Sequence, residues 1–332
     1  MTTTFKSDQQ ILERVNDLSG KLNTLKTGIG EYIFGQEEVV ELTLVTLLAR
    51  GHALLIGVPG LAKTRLVETL GGVLGLEDRR IQFTPDLMPA DILGSEILET
   101  SESGERYFKF LKGPIFGQLL MADEINRSSP RTQSALLQAM QEETVTIAGE
   151  TYPLPSPFHV LATQNPIEQE GTYPLPEAQL DRFLMQIDID YPNKDTERRI
   201  LLETTGNEEV VPTQIMSPQD LKDAQHLVRD IPVSDKVIEA ILKLVRNGRP
   251  DTTDNDLVAK YVSWGPGPRA SQALVLAARA RALLENRLSP SIDDIVVLAK
   301  PVLQHRMALS YAARAENVGM DDVISSLTST LE

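Results

Sequence analysis

The octet Gly57-Val58-Pro59-Gly60-Leu61-Ala62-Lys63-Thr64 follows an apolar run, Ala53-Leu54-Leu55-Ile56, and precedes a helix-forming run from Arg65 to Leu74. Strand, glycine-containing loop and helix form the context in which such a loop can hold phosphate. Successive backbone N–H groups, aided by the positive end of the following helix, make a cavity for anionic oxygens. Lys63 would reach the terminal phosphates and Thr64 would offer its hydroxyl to Mg²⁺. Ala62 stands where a second glycine belongs, and its Cβ disfavours the positive φ that glycine allows. The competing reading is a Gly/Pro turn between strand and helix, with an incidental Lys-Thr.

A chain of 332 residues suits a large domain followed by a smaller one, and 41% hydrophobic residues supply ample core. Lys and Arg number 32 against 47 Asp and Glu, and the net charge of -15 repels nucleic-acid backbones and anionic membranes. No nucleic-acid partner is expected. Zero cysteines exclude disulfides and thiolate chemistry, and the four histidines show no metal-ligand spacing. Met1 to Lys6 has no apolar signal core, and no stretch approaches the roughly 20 apolar residues of a membrane span. No membrane insertion is expected, and the chain reads as cytoplasmic.

Ile11, Val15, Leu18, Leu22 and Leu25 recur at helical spacing, and Val39 to Leu48 predicts a second, more apolar helix with Gly51 as its C-cap. After the phosphate-loop helix, Arg80 to Phe83 predicts a short strand and Asp91 to Ser95 an irregular start. Ile97 to Thr100 with Tyr107 to Phe110, and Thr144 to Ile147 with Thr151 to Leu154, predict two hairpins. Gln118 to Ala122 and Phe158 to Ala162 read as buried strands, and Ser129-Pro130 opens a helix between them. Strands alternating with helices imply a mainly parallel sheet sandwiched by helices, an α/β core. Strand signals disappear beyond Tyr191-Pro192, where an all-α region is expected, with N-cap candidates at Ser217 and Ser234 and a C-cap candidate at Gly248.

Three further constellations accompany the loop. Leu119 to Ala122 ends in Asp123-Glu124, where Asp123 could hold Mg²⁺ through water and Glu124 could orient or deprotonate an attacking water. An acidic strand end capping the next helix is the alternative. Val160 to Thr163 ends in Gln164-Asn165, which in a parallel sheet would open on the same crevice as the loop. Asn165 could position water or touch the terminal phosphate, or serve as an ordinary turn before Pro166. Arg182 stands beside Asp181, and Arg269 begins a helix after Gly265-Pro266-Gly267-Pro268. A guanidinium beside a transferring phosphoryl group stabilises its charge, whereas each could equally form a surface ion pair.

In this order the motifs resemble the AAA+ ATPases, and their wording is similar to the MoxR family: Phe34-Gly35-Gln36, Gly51 to Leu55, Asp123-Glu124-Ile125-Asn126-Arg127, Ala162 to Pro166, Leu175 to Phe183 and Val302-Leu303-Gln304-His305-Arg306. The likeness runs from about Gly30 to Leu309. It implies an N-terminal helix over residues 1–30, an ATPase core over 31–191 and a helical lid over 192–332. Lys63 and Thr64 would belong to Walker A, Gly57 to Thr64 cradling ATP, and Asp123 and Glu124 to Walker B. Asn165 would be the first sensor, Arg182 the arginine finger and Arg269 the second sensor, with ATP and Mg²⁺ as cofactors.

MoxR-like proteins commonly carry Ala at the position of Ala62, whereas Gly-Pro-Gly-Pro-Arg departs from the family's usual Gly-Ala-Ser-Pro-Arg. The resemblance further implies a homo-hexameric ring and chaperone-like maturation of partner complexes, whose clients often contain a von Willebrand factor A domain. The AAA+ subunit of a metal-chelatase shares much of this layout. A nucleotide-gated scaffold with little turnover and a helicase-like motor are readings from other classes; Glu124 and Arg182 weigh against the first, the acidic balance against the second.

Overall fold

The computed structural model of the chain describes residues 8–168, 171–204 and 211–331. Met1 to Lys6, on which the expectation about a signal segment rests, lies outside them. Helices α1 (Asp8–Gly30) and α2 (Glu37–Leu48) precede β1 (Ala53–Gly57), and α3 (Lys63–Leu74) leads to β2 (Asp78–Gln82). The short α4 (Pro89–Leu93) opens onto a hairpin of β3 (Gly94–Thr100) and β4 (Arg106–Lys112). Next come β5 (Leu119–Asp123), α5 (Pro130–Glu142), a second hairpin of β6 (Thr144–Ile147) and β7 (Glu150–Pro153), and β8 (His159–Gln164). One turn of helix, α6 (Glu177–Leu180), precedes β9 (Met185–Ile189). Beyond lie α7 (Lys194–Thr204), α8 (Pro218–Asp230), α9 (Asp235–Asn247), α10 (Asp256–Tyr261), β10 (Val262–Trp264), α11 (Pro268–Leu284), α12 (Ile292–Leu303), β11 (Ala308–Leu309), α13 (Tyr311–Ala315) and α14 (Met320–Thr328).

Five strands form one parallel sheet in the order β2-β5-β8-β1-β9. Both faces are buried, and the strands alternate between two apolar clusters with the two-residue period of extended chain. Ala53, Leu55, Leu119, Met121 and Leu161 face the side covered by α1, α2 and α3. Leu54, Leu120, Ala122, Val160 and Ala162 face the side covered by α5. The first cluster continues without a break into α8, α9, α11, α12 and α14, so the helical region shares its core with one face of the sheet.

Polar stitches reinforce that continuity. Arg281 of α11 donates from Nε to Glu41 of α2 at 3.1 Å and pairs with the fully buried carboxylate of Asp294 at 2.6 Å. Gln225 of α8 donates from Nε2 to the carbonyl of Leu47 at 2.9 Å and lies 2.9 Å from Nε2 of His159 at the start of β8. His159 Nδ1 lies 2.8 Å from the carbonyl of Gly51. These partners assign the neutral tautomer with its proton on Nδ1.

Helix starts follow local chemistry: Ser129, Ser217 and Ser234 accept N-cap hydrogen bonds, with Pro130 and Pro218 in the first turn of their helices. Three local expectations change. Arg50, not Gly51, takes the left-handed turn after α2, at φ 59. Gly51 is instead a close-approach site, where a Cβ would meet Leu184 Cβ at 2.7 Å. Asp91 lies in α4 rather than in irregular chain, because its carboxylate accepts from the N–H of Met88 at 2.8 Å and completes a cap. The helical region also carries a two-stranded ribbon, β10 with β11, whose two- and three-residue strands are too short to show an alternating pattern. Among the described residues, no helix is long and apolar enough to cross a membrane.

Burial lowers the pKa of His159 to about 4, against the opposing pull of its hydrogen bond to Gly51. In the unfolded chain the imidazole titrates near 6.5, so between pH 6.5 and about 4 the unfolded state binds a proton that the folded state refuses. Stability should therefore fall on acidification, by about 2 kcal/mol at pH 5 from this group alone. Urea unfolding at pH 7.5 and 5.0 measures the loss. His159→Asn, which keeps a donor near Gly51, should remove that share of the slope; an unchanged slope would contradict the assignment.

Candidate functional site

Because β1, β5 and β8 run parallel, their carboxyl ends open at one edge, and a cleft of about 1090 Å³ lies there. Pro59 to Thr64 form its floor, and Asp123, Glu124 and Asn165 line it with Arg80, Gln82 and Thr163. Gly57 and Val58 stand behind the loop, where their carbonyls accept hydrogen bonds from Lys63 Nζ at 2.5 and 3.1 Å. A Cβ on Gly57 would meet the carbonyl oxygen of Ile189 at 2.8 Å, so the strand end needs glycine for packing. Gly60 turns at φ 86, and Ala62 adopts φ 57 despite its side chain. The left-handed conformation that glycine would adopt easily is thus present at Ala62, and α3 begins at the next residue.

Burial lowers the pKa of Lys63, while the nearby charges of Asp123 and Glu124 act in the opposite sense. The two carboxylates are held differently. Asp123 Oδ1 accepts from Thr163 Oγ1 at 2.6 Å, and its Oδ2 pairs with Arg80 at 2.6 Å. Glu124 adopts φ 54, and its backbone N–H donates to Thr163 Oγ1 at 2.9 Å. Its Oε2 accepts from Gln82 Nε2 and Arg127 Nη1, each at 2.8 Å. Thr163 therefore ties two strand ends together and aims both acids into the cleft. Asn165 is buried and closes a turn by accepting from the N–H of Ile167 at 3.1 Å, so the turn and the cleft-lining position coexist.

The donor set suits a hard divalent cation: the Asp123 carboxylate and the Thr64 hydroxyl would offer it oxygen atoms beside the loop. The far side of the cleft, bounded by Tyr32, Glu203, Thr204, Val211 and Pro212, brings in residues that no motif marked. Tyr32 donates its hydroxyl hydrogen to the carbonyl of Val211 at 3.2 Å.

The arginines lie elsewhere. Arg182 and Arg269 line a second cleft of about 290 Å³ together with Arg50, Arg229 and Arg306. Arg269 thus does not join Lys63 and Thr64, contrary to the expectation that it binds nucleotide beside them. The reason is packing: α11 is fastened to α2, α8 and α9 through the shared core, and its first turn points at Asp181. Asp181 pairs with Arg306 at 2.7 Å and lies 3.6 Å from Arg269, so the ion pair suspected for Arg182 belongs to its neighbours.

The chain is similar to known proteins along most of its length. The profile of the ATPase family associated with various cellular activities (AAA) matches residues 52–185, and that of the AAA lid domain matches residues 255–327. Chaperone MoxR1 of Mycobacterium tuberculosis is 42% identical over 318 residues, covering 95% of this chain and 83% of that protein. The Bacillus subtilis protein YeaC is 40% identical, covering 95% of this chain and 96% of its own. Protein MoxR of Paracoccus denitrificans is 30% identical over 90% of this chain and 91% of its own. A crystal structure from Cytophaga hutchinsonii superposes with a TM-score of 0.89 at 38% identity, covering 96% of each chain.

Thr163→Val keeps the shape of the side chain but leaves the Glu124 N–H and Asp123 Oδ1 without their shared partner. It should cost about 1–3 kcal/mol in denaturant unfolding, whereas Thr163→Ser should stay within about 0.5 kcal/mol. Equal stability of all three proteins would remove Thr163 from this role.

Proposed function

The chain belongs to the MoxR family of AAA+ ATPases, and from that premise we propose that it hydrolyses ATP in the larger cleft to drive chaperone-like remodelling of partner proteins. The observation that carries the reading is the convergence of Lys63, Thr64, Asp123, Glu124 and Asn165 at one sheet edge, with Arg182 and Arg269 gathered in a separate cleft.

On this reading the loop from Gly57 to Thr64 binds the triphosphate through backbone N–H groups, and Lys63 leaves its two carbonyls for the terminal phosphates. Thr64 and Asp123 would hold Mg²⁺, which neutralises phosphate charge when bound. Glu124 takes a proton from the attacking water or orients it. Both of its described side-chain hydrogen bonds fall on Oε2, which leaves Oε1 for that task. Asn165 holds the water on the other side.

Arg182 and Arg269 do not line their own chain's larger cleft. They act instead on ATP bound by the neighbouring subunit, which calls for a closed ring; six subunits are proposed on the family's pattern, with residues 31–191 as the core and 192–332 as the lid. Net charge speaks for protein clients rather than nucleic acid. The chain would act in the cytoplasm, on a client that carries a von Willebrand factor A domain, in keeping with the chaperone name of its Mycobacterium tuberculosis relative.

Two variants separate binding from chemistry. Lys63→Ala should weaken ATP binding, whereas Glu124→Gln should bind within about threefold of wild type and lose roughly 10²–10⁴ in kcat. Equal loss of affinity in both would defeat the assignment.

A mixture tests the shared site. Arg182→Ala and Lys63→Ala should each be inactive, yet in mixed rings about a quarter of the head-to-tail interfaces join an intact Lys63 to an intact Arg182. Phosphate release should return to roughly that fraction. If size measurements show mixed rings and release stays at the level of the single variants, Arg182 does not act across subunits.

A further inference from the structure

The segment Val302-Leu303-Gln304-His305-Arg306 carries no role in the reading above, yet it ends in a guanidinium that is almost wholly buried. Arg306 directs most of its donor bonds to one stretch of chain, residues 181–184, and one back to α12. Nε donates to Asp181 Oδ1 at 2.7 Å, Nη2 to the carbonyl of Phe183 at 2.7 Å, and Nη1 to the carbonyls of Leu184 at 3.1 Å and Val302 at 2.6 Å. Gln304 Nε2 donates to the carbonyl of Gln186 at 3.0 Å. One turn of the helical region therefore grips residues 181, 183, 184 and 186, the stretch that carries Arg182 into β9. From below, the same stretch is held by Phe183, a fully buried side chain of the core.

Asp181 extends the grip. One oxygen takes Arg306, and the other lies 3.6 Å from Nη1 of Arg269, whose side chain is half exposed at the second cleft. One carboxylate thus relates Arg182, on its own backbone, to Arg269, at the start of α11. A buried guanidinium carries a desolvation penalty, and well-packed apolar residues commonly serve stability as well. What they cannot supply is a rigid planar fork that reads several carbonyls at once, a property that lysine also lacks.

We infer that Arg306, acting through Asp181 and the backbone of residues 181–184, is a positioning residue that sets Arg182 and Arg269 as one unit for the phosphates of the neighbouring subunit. The inference rests on the shared-site reading and adds to it the part that fixes the geometry. Arg306 does not line the chain's own cleft around Lys63 and Thr64. Its loss leaves the chain's own cleft, lined by Lys63, Thr64, Asp123 and Glu124, intact.

The test uses full-length rings of an Asp181→Leu/Arg306→Met double variant, which removes both charges together, and of Arg306→Lys, which keeps the charge and loses the fork. Each should hydrolyse ATP with kcat reduced at least tenfold and KM within about threefold of wild type, since transition-state contacts are lost and binding contacts kept. Mixed with Lys63→Ala, each should regain activity, because its own intact cleft then meets arginines that an intact Arg306 holds in place. The Arg182→Ala and Lys63→Ala mixture runs alongside. If that mixture recovers and both Arg306 mixtures stay silent, the positioning role is overturned. Unchanged kcat in either Arg306 variant alone overturns it as well. If the Arg182 mixture itself stays silent in proven mixed rings, the shared-site reading fails, and this inference falls with it.

Discussion

The parallel pairing of β1 with β8 on one side and β9 on the other is the constraint on which the rest of the molecule depends. It sends the ends of β1, β5 and β8 to one edge, so that residues more than a hundred positions apart share a cleft. Parallel strands need crossovers, and the crossover helices bury both sheet faces, which explains why β5 is apolar along its length until Asp123. Polar groups appear where the strands leave the core. Thr163, fully buried one residue before the end of β8, makes that transition safe by satisfying Asp123 and the strained backbone of Glu124 together.

Charge is distributed with similar economy. The chain is strongly acidic, with a net charge of -15, yet five guanidinium groups gather around the second cleft. Local geometry outweighs the global field there, because fixed groups a few ångströms from a ligand act far more strongly than screened surface charge. The continuous core between α2 and α11 keeps that arginine cluster in register with the sheet. A helical region hinged freely at Tyr191-Pro192 would not; shared packing and the Arg281 bridge to Glu41 and Asp294 argue for motion of the two parts together.

Much of this was legible in the sequence because it is local. Strand, loop and helix around Lys63, the serine caps and both hairpins depend on neighbours within a few residues, and their signals are correspondingly clear. The arginine placement was not legible, since the position of Arg269 depends on how α11 packs against elements from distant parts of the chain. Thr163 was hidden for a different reason: a threonine inside an apolar strand looks like an ordinary β-former until its two partners are seen. Arg80 and Gln82 were hidden similarly, as alternating polar residues on an edge strand. Ala62 shows the converse case, where the residue's preference and its conformation disagree and the surrounding loop prevails.

In the proposed mechanism, one chain's ATP cleft is completed by arginines of another. The most direct test is specific ATP hydrolysis measured across a wide range of protein concentration, with the assembly state followed by sedimentation at each point. Turnover per chain should rise with the assembled fraction and vanish for the isolated subunit, while nucleotide affinity changes little. Constant turnover per chain through complete dissociation would contradict it.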